Sequence, residues 1–409
     1  MATDTGSDTW IRVLIGAMVA FVAVIVLASA IVVGVSSQSA IEPQRPDRVD
    51  APATDPRPEG AGPTPTGDPD VDRQLGEIAT FVEKERGLTF QKPVTVDVLA
   101  DGSFQDRLLA SEEKDREDLA KQAQALQALG FVDTVSQVEQ GQRALLDAGV
   151  LGFYDPESNE LVVRGGPLTP MTRQTIAHEL THALDDQWFD LNNAAYDEHD
   201  DELGFGITAL AEGNARRVEV AYAAKLDDAD KDTLQQEESQ VSPPPASVPP
   251  VLLTLITAPY DYGAPMVRAL IKRGGQTELD NAFKSPPPTS EQVLDTDKLF
   301  AGEPAVSVDA PPADGAVIDQ GMLGQLMLRL LLGENLGQGR VQRASTGWGG
   351  DHYVLWQQGD AYCLRVDLAG DSPDDLKELR KGLEDTAKKL ANAQVVDPQP
   401  DRVRFTSCR

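Results

Sequence analysis

The chain has 409 residues, 66 acidic and 36 basic, for a formal net charge of −30, with four histidines and two cysteines. This balance excludes a protein whose main partner is nucleic acid, because phosphate binding needs a surplus of Lys and Arg on one face. The 41% hydrophobic content excludes a fully disordered chain, and two cysteines exclude a disulfide scaffold.

Residues 1–12 read as a short cytoplasmic tail. Val13 to Val35 then runs without a charge, about 34 Å as a helix against a hydrocarbon core of about 30 Å. A single transmembrane helix is expected at 13–35, acting as an uncleaved signal-anchor, with the small residues Ala28-Ser29-Ala30 leaving a cleaved signal as the alternative. One span after a short tail places the rest of the chain outside the cytoplasm. Residues 36–72 hold eight prolines and three glycines and almost no large apolar residue, so they read as an extended, disordered stalk.

The folded part is expected over 73–409. A first helix reaches about Arg86, Pro93 to Ala100 alternates as a strand, and two helices are expected over Gln105–Leu129 and Asp133–Ala148. Leu151–Tyr154 and Glu160–Arg164 flank a turn-rich loop as a β-hairpin. Helices follow at about 169–188, with Thr169 as cap and Pro170 in its first turn, and at about 203–226. The acid- and proline-rich stretch Asp227–Pro250 reads as an exposed loop. Val251–Arg273 reads as a helix broken near Pro259, Gln320–Leu332 as an apolar helix, Tyr353–Trp356 with Ala361–Asp367 as paired strands, and Ser372–Asn392 as a closing helix. Strands mixed with helices, without regular βαβ alternation, give an α+β class.

The chemistry concentrates in His178-Glu179-Leu180-Thr181-His182, an H-E-x-x-H pattern inside a predicted helix. Residues four apart share a helical face, so both imidazoles can reach one Zn2+ at about 2.0–2.1 Å, while Glu179 stands beside the ion's open side and can take a proton from water. With four histidines in the chain, chance supplies roughly 0.003 such matches. A catalytic zinc site wants a third protein ligand. The elongated three-histidine signature fails, since Asp185 and Trp188 stand where it needs Gly and His. Glu212, within the small and apolar Ala209-Leu210-Ala211-Glu212-Gly213, is the leading candidate, with His199, Asp185 and Asp186 as rivals.

These residues resemble the gluzincin metallopeptidases, in which H-E-x-x-H on one helix and a Glu on the next bind zinc. More widely, Gly152–Trp188, Leu210–Asn214, Pro259–Gly263, Ser290–Leu294 and Gly347–Asp351 are similar to a group of little-characterised, membrane-anchored bacterial zinc peptidases. The resemblance implies a zincin-like domain with a mixed sheet, metal ligands His178, His182 and Glu212, and Glu179 as the base for peptide hydrolysis. It also implies a strand, here Glu160–Arg164, as the edge on which an extended peptide substrate adds. An Asp that would orient a ligand histidine is replaced by Arg216, leaving Asp185, Asp186 and Glu219 as candidates for that role. The oxyanion donor is open among His352 and Tyr353, after the glycine-rich Gly347–Gly350, and Tyr260 and Tyr262.

Cys363 and Cys408 permit one disulfide outside the cytoplasm. Acidic clusters at Asp197–Glu202 and Asp227–Glu238 lack calcium-ligand spacing and read as solvated loops. The expected partners are a peptide or protein substrate and the membrane. The competing functions are a non-catalytic envelope binding or assembly module on a peptidase-like fold, and a zinc amidase acting on cell-wall peptides.

Overall fold

In chain order the elements are β1 (Gly62–Pro63), α1 (Pro69–Arg86), β2 (Pro93–Leu99), α2 (Asp101–Glu112), α3 (Arg116–Leu129), α4 (Val135–Asp147), β3 (Gly152–Asp155) and β4 (Glu160–Arg164). Next come α5 (Pro170–Phe189), α6 (Asp201–Lys225), α7 (Asp228–Gln240), α8 (Pro250–Lys284), α9 (Ser290–Leu294) and α10 (Thr296–Ala301). The chain closes with β5 (Val317–Gly321), α11 (Gly324–Gly333), α12 (Gln338–Thr346), β6 (Trp348–Gln358), β7 (Ala361–Gly370), α13 (Pro373–Ala387), β8 (Ala393–Gln399) and β9 (Arg402–Cys408). This computed structural model describes residues 56–112, 116–147, 150–193 and 201–409. The expected transmembrane helix at 13–35, the stalk up to residue 55 and His199 lie outside them. No helix of the described residues is long and apolar enough to cross a membrane.

The fold is mixed α+β, built on two sheets. The first has the order β1-β2-β4-β3, with β1, β2 and β4 parallel and β3 antiparallel to β4. Alternation along its strands serves two cores: Tyr154, Leu161 and Val163 pack with α1 and α5, whereas Phe153 and Val162 join a larger core shared with α3, α4 and the second sheet. The second sheet is antiparallel in the order β5-β6-β7-β9-β8, with α11, α12 and α13 contributing to the same larger core. A third core lies between α6 and the later part of α8.

Several elements differ from the sequence expectation, each for a local reason. The outer end of the expected stalk belongs to the fold. Arg57 forms a paired contact with Glu83 (2.7 Å), β1 pairs with β2, and Asp68 caps α1 by accepting the Asp70 and Val71 N–H groups. The 227–250 stretch is helical over α7, because Asp227 caps it and its acids dock on α5: Asp230 meets Arg173 (2.6 Å) and Glu237 accepts the Met171 N–H (3.0 Å). Helix α8 runs through Pro259 and breaks instead at Gly274 and Gly275, where Gly275 has φ of 67°. The apolar run from Gln320 begins as strand, and α11 starts only at Gly324, where the buried Asp351 carboxylate accepts the Leu323 and Gly324 N–H groups. Cys363 and Cys408 face each other in the β7–β9 register and form the disulfide.

Candidate metal centre

Helix α5 starts on the Thr169 cap and stops at Asp190, which sits in the left-handed region with φ of 55° and donates its N–H to the Asp186 carbonyl. Between these ends, every residue from Gln174 to Asp185 is buried. One side, with Ile176, Ala177, Leu180, Ala183 and Leu184, packs on the first sheet, which leaves His178 and His182 to meet α6. There Glu212 is 1% exposed, while His178 and Glu179 are 0% and His182 is 2% exposed. Four polar groups so deeply buried need partners in one another or in a ligand.

Their geometry supplies the fit to a metal. His178 Nε2 lies 3.0 Å from His182 Nε2 and 3.1 Å from Glu212 Oε2, and His182 Nε2 lies 3.5 Å from the same oxygen. Ligand atoms at about 2.0–2.1 Å from a tetrahedral ion stand about 3.3–3.4 Å apart, so this triangle matches three corners of a zinc tetrahedron. The electrostatics call for a cation at the same place. Burial alone would push the His178 imidazole down, but its hydrogen bonds to Glu212 and Glu219 prevail and raise it to about 10. Burial would raise Glu212, yet the two imidazoles draw it down to about 2.

Of the three acids, Glu219 is the one that meets His178 on the side away from Glu212. Its Oε2 lies 3.2 Å from His178 Nδ1, and its Oε1 accepts from Gln174 (2.7 Å) and Arg216 (2.6 Å). A neutral His178 that donates Nδ1–H to Glu219 would leave the Nε2 lone pair towards His182 and Glu212, free to bind a metal ion. Arg216, standing where an Asp was expected, clamps the carboxylate that does this work from one turn further along α6. Asp185 and Asp186 are engaged elsewhere. Asp185 meets the fully buried Arg86 (2.5 Å) and accepts from Asn214 (2.6 Å), and Asp186 accepts the Tyr154 hydroxyl (2.8 Å).

Glu179 is held by one oxygen. Its Oε2 accepts the Tyr154 N–H (3.0 Å), and among the described residues its buried Oε1 finds no hydrogen-bond partner. Burial, opposed by His178, holds its carboxyl well above the usual range. Strand β4, expected at the cleft edge, is interior, paired on both sides. β3 is an edge strand, and its Tyr154 N–H reaches Glu179.

The structure brings Tyr260 to the site and leaves the other oxyanion candidates outside it. Tyr260, from α8, stacks near His178 with ring centroids 6.2 Å apart, and its hydroxyl hydrogen-bonds to Glu212. Tyr262 packs against the third core. Tyr353 is buried on β6 and donates to Asp319 (2.6 Å), and half-buried His352 bonds to the Val308 backbone. Both have partners at the second sheet rather than among the metal-centre residues, because the preceding glycine-rich run serves a structural purpose: Trp348 Nε1 donates to Asp351 (2.7 Å), the carboxylate that caps α11. A second group of acids, Glu291, Glu303 and Asp371, gathers around Lys298 Nζ at 2.7, 3.0 and 2.6 Å, so that cluster already holds its cation.

Residues 313–407 match the model of a family described as a domain of unknown function (DUF8575). The matched segment spans the second sheet with α11, α12 and α13, and the metal-centre residues all precede it. No curated protein and no solved structure matches the chain.

Proposed function

We propose that this chain is a zinc-dependent peptidase that hydrolyses peptide bonds at the His178, His182 and Glu212 centre. The observation that carries the reading is the triangle of ligand atoms with Glu179 Oε1 unpartnered beside it. Zinc held there would polarise a scissile carbonyl and acidify a water molecule.

The chain's own groups supply the rest. Glu179, anchored through Oε2, offers Oε1 to take the proton of the attacking water. Having taken that proton, it can pass it on to the leaving amine. Tyr260 stays a phenol, since burial and the surrounding carboxylates raise its pKa well above 10, and its hydroxyl steadies the Glu212 carboxylate by donating to it. Glu219 and Arg216 fix the tautomer of His178. The uncharged run at 13–35 supports a membrane-tethered enzyme working outside the cytoplasm.

Glu179→Gln keeps the shape and removes the base. The variant is expected to retain stoichiometric zinc and to lose peptide hydrolysis by about 10²–10⁴-fold, measured by metal analysis beside cleavage of a peptide library. Full activity in the variant would sink the reading, and zinc binding with no cleavage by the unaltered chain would favour a binding module.

A further inference from the structure

Strand β3 lies along α5, and the two advance in step. Gly152 faces Thr175, whose methyl would stand 3.6 Å from a Cβ placed on that glycine. Two residues on, the Tyr154 N–H donates to Glu179 Oε2 at 3.0 Å. Two residues of strand rise about 6.6 Å and four residues of helix about 6 Å, so the strand keeps pace with the helix from Thr175 to the base. The side chain of Tyr154 then carries the contact further. Its hydroxyl donates to Asp186 Oδ2 at 2.8 Å, on the same helix two turns beyond Glu179.

One residue therefore grips α5 twice, through its backbone at position 179 and through its phenol at position 186. The other contacts here are apolar: the Tyr154 ring, Leu161 and Val163 pack on Ile176, Ala177, Leu180 and Ala183. Apolar burial is non-directional and does not fix a position along a helix, whereas hydrogen bonds do. The ladder to β4 sets β3 within its sheet, and the phenol sets that strand against α5. Asn159 braces the same hydroxyl, with Oδ1 2.9 Å away, while its Nδ2 donates to the Pro93 carbonyl on β2 at 2.7 Å. The amide that holds Glu179 is thus itself held on two sides.

We propose that Tyr154 is the positioning residue of the general base: its phenol, anchored on Asp186, sets where the Tyr154 N–H stands, and that N–H sets where Glu179 Oε1 points. The inference rests on the zinc peptidase reading and deepens it by naming what aims the base. Tyr154 acts through Glu179 and not on the substrate.

The test uses three variants of the full chain. Tyr154→Phe keeps the ring and removes the phenol, Asp186→Ala removes the anchor and leaves Tyr154 whole, and Asp186→Asn keeps a hydrogen-bond partner for the phenol. Each is measured for kcat, KM and zinc affinity, and for the hydrogen-exchange rate of the residue-154 amide. Tyr154→Phe and Asp186→Ala are expected to lower kcat by about 10–100-fold with KM and zinc affinity within about twofold of the unaltered chain, as a slight misplacement of a reacting group does. The residue-154 amide should exchange at least about tenfold faster in both, and Asp186→Asn should recover most of the kcat lost in Asp186→Ala. An unchanged kcat in Tyr154→Phe, a fall in kcat matched by an equal loss of zinc affinity, or no recovery in Asp186→Asn overturns the assignment. Exchange needs no turnover. Faster exchange in the variants of a chain that cuts no peptide would count against the peptidase reading alone, and unaltered exchange in an active chain against the positioning role alone.

Discussion

At the scale of single residues, the centre depends on one imidazole being held at both nitrogens. His178 meets Glu212 through Nε2 and Glu219 through Nδ1. Glu219→Gln preserves size and removes the charge that holds the Nδ1 proton. Zinc affinity should fall about 10–100-fold, read by competition with a chelator, while the circular dichroism of the folded chain stays unchanged; unaltered affinity would mean that Glu219 does not orient the ligand. That His178 and His182 stand side by side was legible in the sequence, because i, i+4 spacing on a helix is a local rule. Glu219 was legible only as one of three acids, since the choice depends on where α6 lies against α5. His352 and Tyr353 illustrate the opposite case. A glycine-rich run before a His and a Tyr looks like a loop shaped for a ligand, and the structure uses it to let Trp348 reach Asp351 and cap a helix.

At the scale of elements, the approach of α8 to α6 brings Tyr260 to Glu212. Gly213 and Gly263 meet there backbone to backbone, and a Cβ at Gly263 would collide with the Ala209 carbonyl. Gly263→Ala should therefore destabilise the fold by about 1–3 kcal/mol or more and weaken zinc binding as the helices part. The measurements are a denaturant titration and a zinc titration, with Gly337→Ala, which faces open space, as the control; a variant as stable as that control would show that the crossing tolerates a side chain. Helix α5 was legible because its Thr169 cap acts within a few residues of itself, whereas the Asp68 cap and first turn of α1 fell within the expected stalk. The strands β8 and β9 were not legible. Their pairing with each other and with β7 is decided by the core they share with α13, and β8 carries a proline that weakens its local pattern.

At the scale of the whole molecule, buried polar contacts around α9 tie α6 to α11. Glu202 on α6 accepts from the Ser290 N–H and hydroxyl at 2.6 Å, the Ser290 hydroxyl accepts the Leu326 N–H, and Glu291 reaches Lys298 and Gln325. Burial, only partly offset by Lys298, pushes the Glu291 carboxyl up to about 7 from an ordinary value of 4.5. Between those two values the folded chain binds more protons than the unfolded one, so this group's contribution is full below pH 4.5 and is lost as pH rises through 7. Glu291→Gln should flatten that decline, seen by urea unfolding at pH 5, 6, 7 and 8; slopes identical to the unaltered chain would place the pH dependence elsewhere. The segments Ser290–Leu294 and Gly347–Asp351 carry part of the family resemblance in the sequence, and in the fold Ser290 and Asp351 bond to the start of α11.

Glu212 and Glu219 grip the same imidazole from positions seven apart, two turns of one helix. Helix α6 therefore works as a ruler. Inserting or deleting a residue between 212 and 219 would swing one carboxylate about 100° around the helix axis relative to the other, so that both could no longer hold the imidazole at once, whereas a change of length in the segment between α10 and β5 leaves the spacing of the centre untouched. The chemistry of this chain is insulated from drift in its loops and exposed to drift along seven residues.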